Sequence, residues 1–167
     1  MSAMHQQPDG PAFDIVLLLH VGCVVVGLVT TATAAATATR LRRLLGSPLP
    51  LPEPLRRYFR PGVNWAGRTI YGIPVFGFIL LAMSHGAYAL GQGWVLGGLA
   101  IFAAVALVGE GLLWPAERRL QAALASSAAA SPPSGESIER DALSMSRAAA
   151  VAVVLLVAGT VLMVAQP

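Results

Sequence analysis

The chain has 167 residues, 56% of them apolar and only 11% charged, with a mean hydropathy of +0.68. That is too apolar for the surface of an ordinary water-soluble domain, so a bilayer is the expected solvent. Lysine is absent and all 11 Lys/Arg positions are arginine; a pI near 9.8 would suggest nucleic acid in a soluble protein. Here the excess gathers in one loop, so anionic lipid headgroups are the expected counter-charge and nucleic acid is not an expected partner.

The first dozen residues, MSAMHQQPDGPA, hold Asp9 and nothing basic. They lack the charged start of a signal peptide, so the apolar run after them is expected to stay as an anchor. That run, residues 15–39, is about 37 Å long as a helix, enough to cross a hydrocarbon core of about 30 Å with tilt. Its second half, TTATAAATAT, swaps bulky residues for Ala and Thr, which lets backbones approach and hydroxyls bond back to the helix; it reads as a packing face.

Residues 40–69 form a basic loop containing SPLPLPEPLRRYFRPG. Its alternate prolines predict an extended, polyproline-like strand lying along the headgroups. Runs two and three, residues 70–90 and 94–114, are joined by Gly91, Gln92 and Gly93 and are expected to form an antiparallel hairpin, with Tyr88, Trp94 and Trp114 near the interfaces. Residues 115–147 read as a linker, small and polar through AALASSAAASPPSGE, then helical through SIERDALSMSR into run four, residues 148–165.

The arginines alternate with the runs: seven lie in residues 40–68, four in 115–147, and none in either tail or the short turn. The positive-inside rule then predicts an all-α, polytopic four-helix bundle of a plasma (inner) membrane, both termini on the exterior side. Residues 1–167 make one membrane domain, with no internal repeat of the kind that builds two-halved transporters. A single cysteine, Cys23, excludes an intramolecular disulfide.

Ionisable side chains inside a bilayer are costly and are functional candidates for that reason; here they are His20, His85 and Glu110. His20 and His85 each fall about 7.5 Å below the same boundary at the helical rise, on runs one and two. Two imidazoles at one depth, with Gly22, Gly27, Ser84 and Gly86 alongside, are the arrangement that a bis-histidine haem b requires; packing or water-bonded histidines would look the same in sequence. His20 and Cys23, three apart on one helical face, with Met83 and the tail's Met4 and His5, are donors suited to copper(I), although Met83 and His85 point apart on a helix. Glu110 in VALVGEGLLW lies near the boundary where Arg68 enters, and an ion pair between the two, or snorkelling of Glu110 to headgroup water, is the expected structural reading, with proton handling the functional alternative. No catalytic triad, phosphate loop or metal-binding cysteine pair is present.

LLLHVGCVVVG in the first helix, an arginine-rich loop, RPGVNWAGRTIYG before the second helix and LLWPAERRL closing the third together resemble a family of bacterial four-helix integral membrane proteins. More distantly, the pattern is similar to copper-resistance-D and membrane protoporphyrinogen-oxidase-like proteins. The resemblance implies a first-helix histidine associated with haem or porphyrin, which His20 matches; the intramembrane lysine of the oxidase-like proteins has no counterpart here. The abundance of Ala, Arg and Gly resembles an actinobacterial composition. The expected role is a non-catalytic accessory or assembly component of a larger membrane complex, presenting Gly- and Ala-rich faces to other subunits. The alternatives are a b-type haem-binding or porphyrin-handling protein using His20 and His85, and a copper-handling protein using His20 and Cys23.

Overall fold

The computed structural model describes residues 10–45, 51–84, 86–126 and 135–165. Among them the chain is all-helical, and four stretches are long and apolar enough to cross a membrane: Pro11–Leu44, Trp65–Met83, Gly93–Ser126 and Gly135–Ala165. This architecture is compatible with a multi-pass integral membrane protein.

Helix α1 (Pro11–Leu44) opens with proline at its first position, where the missing N–H costs nothing, and carries Asp14 in its first turn and Arg42 and Arg43 in its last, each matching the local end of the helix dipole. Its buried stripe is Gly27, Thr31, Ala34, Ala38 and Leu41. The stripe packs on α7 (Gly135–Ala165), whose buried residues include Ala142, Met145, Ala149 and Ala152. Small side chains at alternate steps of three and four allow two long helices to approach closely. Thr31 and Thr39 donate to the carbonyls of Gly27 and Ala35 at 2.7 and 2.8 Å, so their hydroxyls enter the interface already bonded. The Ala/Thr half of run one is the packing face its composition suggests.

Of the proline-rich segment, residues 46–50 lie outside the described residues, and from Glu53 the chain departs from the extended strand expected of it. Glu53–Tyr58 is a short helix, α2, with Pro52 and Pro54 around its first turn, where proline is tolerated. Leu55 and Phe59 are driven into the core beside Leu41, Trp114 and Leu120, a burial that repays folding back rather than lying flat. Asn64 then caps α3 (Trp65–Arg68), its Oδ1 accepting from Gly67 N–H at 3.1 Å.

A 3₁₀ turn, Thr69–Tyr71, joins α3 to α4 (Gly72–Met83). Pro74 has no N–H for the Ile70 carbonyl one turn back, and the chain tightens there. The second crossing therefore begins at Trp65 and ends at Met83, before the expected limit of residue 90. Ser84 and residues 86–92 lie outside the helix, with Gly86 at φ 88 in the left-handed region.

Helix α5 (Gly93–Val108), a π-helical turn (Gly109–Leu113) and α6 (Trp114–Ser126) are continuous. The third helix thus runs well past the expected limit at Trp114, and Arg119 Nε ties its extension to Asp141 of α7 at 2.8 Å. The expected hairpin is splayed. Helix α4 packs on α1 and α5 packs on α7, leaving a gap between the two sequential helices.

Candidate functional site

That gap is a slot of about 370 Å³. Helix α4 supplies Ile73, Pro74, Gly77 and Leu81, α5 supplies Val95, Gly98 and Phe102, and α7 supplies Met163. His20 of α1 forms part of its wall and also borders an inner extension of about 150 Å³ reaching Thr160 and Leu156. Both ends of the slot are bridged by aromatic contacts. At one, Tyr88 and Trp94 meet edge to face with centroids 5.5 Å apart; at the other, Tyr71 meets Phe102 at 6.2 Å and Trp114 at 6.0 Å.

His20 is held in one orientation. Its Nδ1 lies 2.9 Å from the Ile73 carbonyl oxygen, and since a carbonyl only accepts, Nδ1 carries the proton. In the neutral ring Nε2 is then the basic nitrogen, free to accept a hydrogen bond or bind a metal. Glycine makes the fit possible: a Cβ at position 77 would lie 3.4 Å from the His20 ring, and one at position 98 would collide with the Met163 methyl. Cys23 faces α4 as well, but its sulfur is spent covering Gly72 and does not line the slot.

The remaining site residues from the sequence separate. His85, Met4 and His5 lie outside the described residues. Among the described residues no group of three or more His, Cys, Asp or Glu side chains converges as a metal site would. Glu110 and Arg68 meet at 3.4 Å, and Tyr71 donates to the same carboxylate oxygen at 2.8 Å. The Arg68 guanidinium also stacks 4.4 Å over Trp114, so the ion pair belongs to a cation–π cluster at the foot of the slot.

A second polar cluster, below the first, had no counterpart in the sequence reading. Glu117 is only 5% exposed. Asn64 Nδ2 donates to it at 3.4 Å, oriented because the amide oxygen is committed to capping α3. Tyr58 Oη is buried nearby without a hydrogen-bond partner among the described residues. Burial, then the adjoining Glu117 carboxylate, pushes the Tyr58 phenol well above the usual tyrosine range. Between them and Thr31 lies a void of about 20 Å³, room for one water molecule. In sequence Glu117 sits in WPAERRL with nothing to mark it as buried; α2 folding back brings Tyr58 beside it.

Compared with known proteins, the chain matches no family model, no curated protein and no solved structure.

Proposed function

We propose that this chain is a multi-pass protein of the bacterial inner membrane that binds haem b in the slot between α4 and α5, with His20 as an axial ligand. The observation that carries this reading is the His20 imidazole, fixed by the Ile73 carbonyl at 2.9 Å with Nε2 left over, in the wall of an apolar cavity. A hydrogen bond from the non-ligating nitrogen to a backbone carbonyl is how proteins orient histidine ligands and raise their basicity. The cavity falls within the range of small-molecule and cofactor sites.

When bound, haem supplies a reversible one-electron couple. The chain's own part is to orient His20 and to keep water from the site with Ile73, Leu81, Val95 and Phe102. Met163, which lines the slot, would be able to hold the group as well; His85, the second ligand expected from the sequence, lies outside the described residues. The arginine-bearing end faces the cytoplasm and both termini lie outside, a proposal resting on the positive-inside rule.

The accessory role has less behind it, because part of the Gly- and Ala-rich surface is buried between α1 and α7. Copper is supported less than haem, because Cys23 is turned onto Gly72 rather than into the slot.

The test is an absorption spectrum, oxidised and dithionite-reduced, of protein purified in mild detergent from cells supplied with a haem precursor. The reading expects a Soret band and sharp reduced α and β bands, lost in His20→Ala. Retention of both the spectrum and the potential in Met163→Leu would leave His85 as the second ligand. A colourless preparation from such cells overturns the proposal.

A further inference from the structure

We propose that the basic groove between the last turns of α1 and the middle of α7 is a binding site for one anionic phospholipid. The groove encloses about 940 Å³ and opens sideways from the bundle. Arg40, Arg42, Arg43 and Arg147 line its upper part, and Ala35, Ala36 and Ala150 its lower part. It straddles the level at which both helices pass from apolar to charged sequence, with Ala148 and the apolar run beginning directly after Arg147. A phospholipid has that same division, with a phosphate above and acyl chains below.

The charges are available. Arg42 alone has a carboxylate near it, Glu139 at 3.9 Å, and its Nε is buried with no hydrogen-bond partner among the described residues. Arg40, Arg43 and Arg147 form no ion pair among the described residues. In contrast, Arg68, Arg119 and Arg140 are each matched to an acid. The final carbonyls of α1 disfavour an anion at this position, so attraction must come from the guanidiniums, whose planar fork suits phosphate oxygens. Soluble phosphate shares that chemistry. The alanines distinguish the lipid, because small residues leave a furrow wide enough for a chain, and the Thr39 and Ser146 hydroxyls that also line it already donate to the Ala35 and Leu143 carbonyls. Basic pockets between helices at the membrane boundary are sites of this kind. The inference does not draw on the His20 slot.

The experiment is native mass spectrometry of the full chain in detergent, titrated with phosphatidylglycerol, phosphatidylcholine of the same chains, or inorganic phosphate. The native chain should retain phosphatidylglycerol in preference to the other two. Arg40→Gln, Arg43→Gln and Arg147→Gln together should weaken it by about a hundredfold, at roughly one order of magnitude for each 1.4 kcal/mol and about 1 kcal/mol per arginine. Arg56→Gln, Arg57→Gln and Arg60→Gln remove equal charge from the α2 region and should change binding by less than about threefold. Ala36→Leu with Ala150→Leu keeps every charge, fills the furrow at two exposed positions and should also weaken binding, which covers the case in which the arginine variant fails to fold. Equal loss in both arginine variants, unchanged binding in the leucine variant, or inorganic phosphate binding as tightly as the lipid would each overturn the proposal.

Discussion

Replacing Glu117 separates a buried acceptor from a surface charge. The side chain is 5% exposed and accepts from Asn64 Nδ2 at 3.4 Å, while the Tyr58 hydroxyl is buried beside it. Glu117→Leu keeps the volume but leaves the half-buried Asn64 N–H with no oxygen to meet. An unsatisfied buried polar group costs about 1–3 kcal/mol, which sets the expected loss. Glu117→Gln keeps an oxygen in the same place and removes the desolvation of a carboxylate, at the expense of its attraction to Arg68 and Arg118. Those changes oppose each other, and the expected net is within about 1 kcal/mol of zero. Equilibrium unfolding of the purified protein in mixed detergent micelles, followed by tryptophan fluorescence, measures both. If leucine were as well tolerated as glutamine, the carboxylate would not be serving as the acceptor for Asn64.

Ala149 is fully buried between α1 and α7, and Ala149→Leu should destabilise by about 1–3 kcal/mol through overpacking; Ala150→Leu, one position on and exposed, should stay within about 0.5 kcal/mol by the same unfolding assay. Because the fold raises the Tyr58 phenol above its ordinary 10.0, the contribution of the neutral phenol is complete below that pH and is lost as pH rises through the higher folded value. Thermal denaturation from pH 9 upward should therefore show a decline beginning near 10.0 that is shallower in Tyr58→Phe. Alkaline phosphatase fused within residues 40–68 should be inactive while a fluorescent protein at the same site is bright; the reverse would invert the proposed topology.

Much of the fold was legible because bilayer solvent imposes long apolar runs that need no tertiary knowledge to find. The Ala and Thr positions of α1 announced a close helix contact for the same reason: nothing else suits small residues at that density. Glu110 and Arg68 were matched by depth alone and meet at 3.4 Å. Depth could not reveal that the second helix begins at Trp65 and ends at Met83, because GAYAL beyond it is apolar enough to continue a helix on hydropathy grounds. Nor could it reveal the slot. A short turn requires two helices to be antiparallel, not to touch, and which neighbours they choose depends on where glycines admit side chains from other helices.

Packing along the bundle is uneven, and this bears on how the slot works. The fully buried large side chains Leu41, Leu120, Met145 and Val105 lie on α1, α5, α6 and α7, whereas α4 buries no residue completely. Among the contacts that hold α4 to α1 are Cys23 against Gly72, His20 against Gly77, and the bond from His20 to the Ile73 carbonyl. A ligand at His20 Nε2 would leave that bond intact, because it uses the other nitrogen. Loss of the imidazole would remove both the ligand and one of the ties that keep the slot's wall in place. His20→Ala is therefore expected to loosen α4 even where no ligand is present, as faster hydrogen exchange in Gly72–Met83 but not in the packed α1–α7 pair. Exchange accelerating equally in both would mean that α4 and the bundle unfold as one unit, and that His20 stabilises the whole protein rather than positioning one wall.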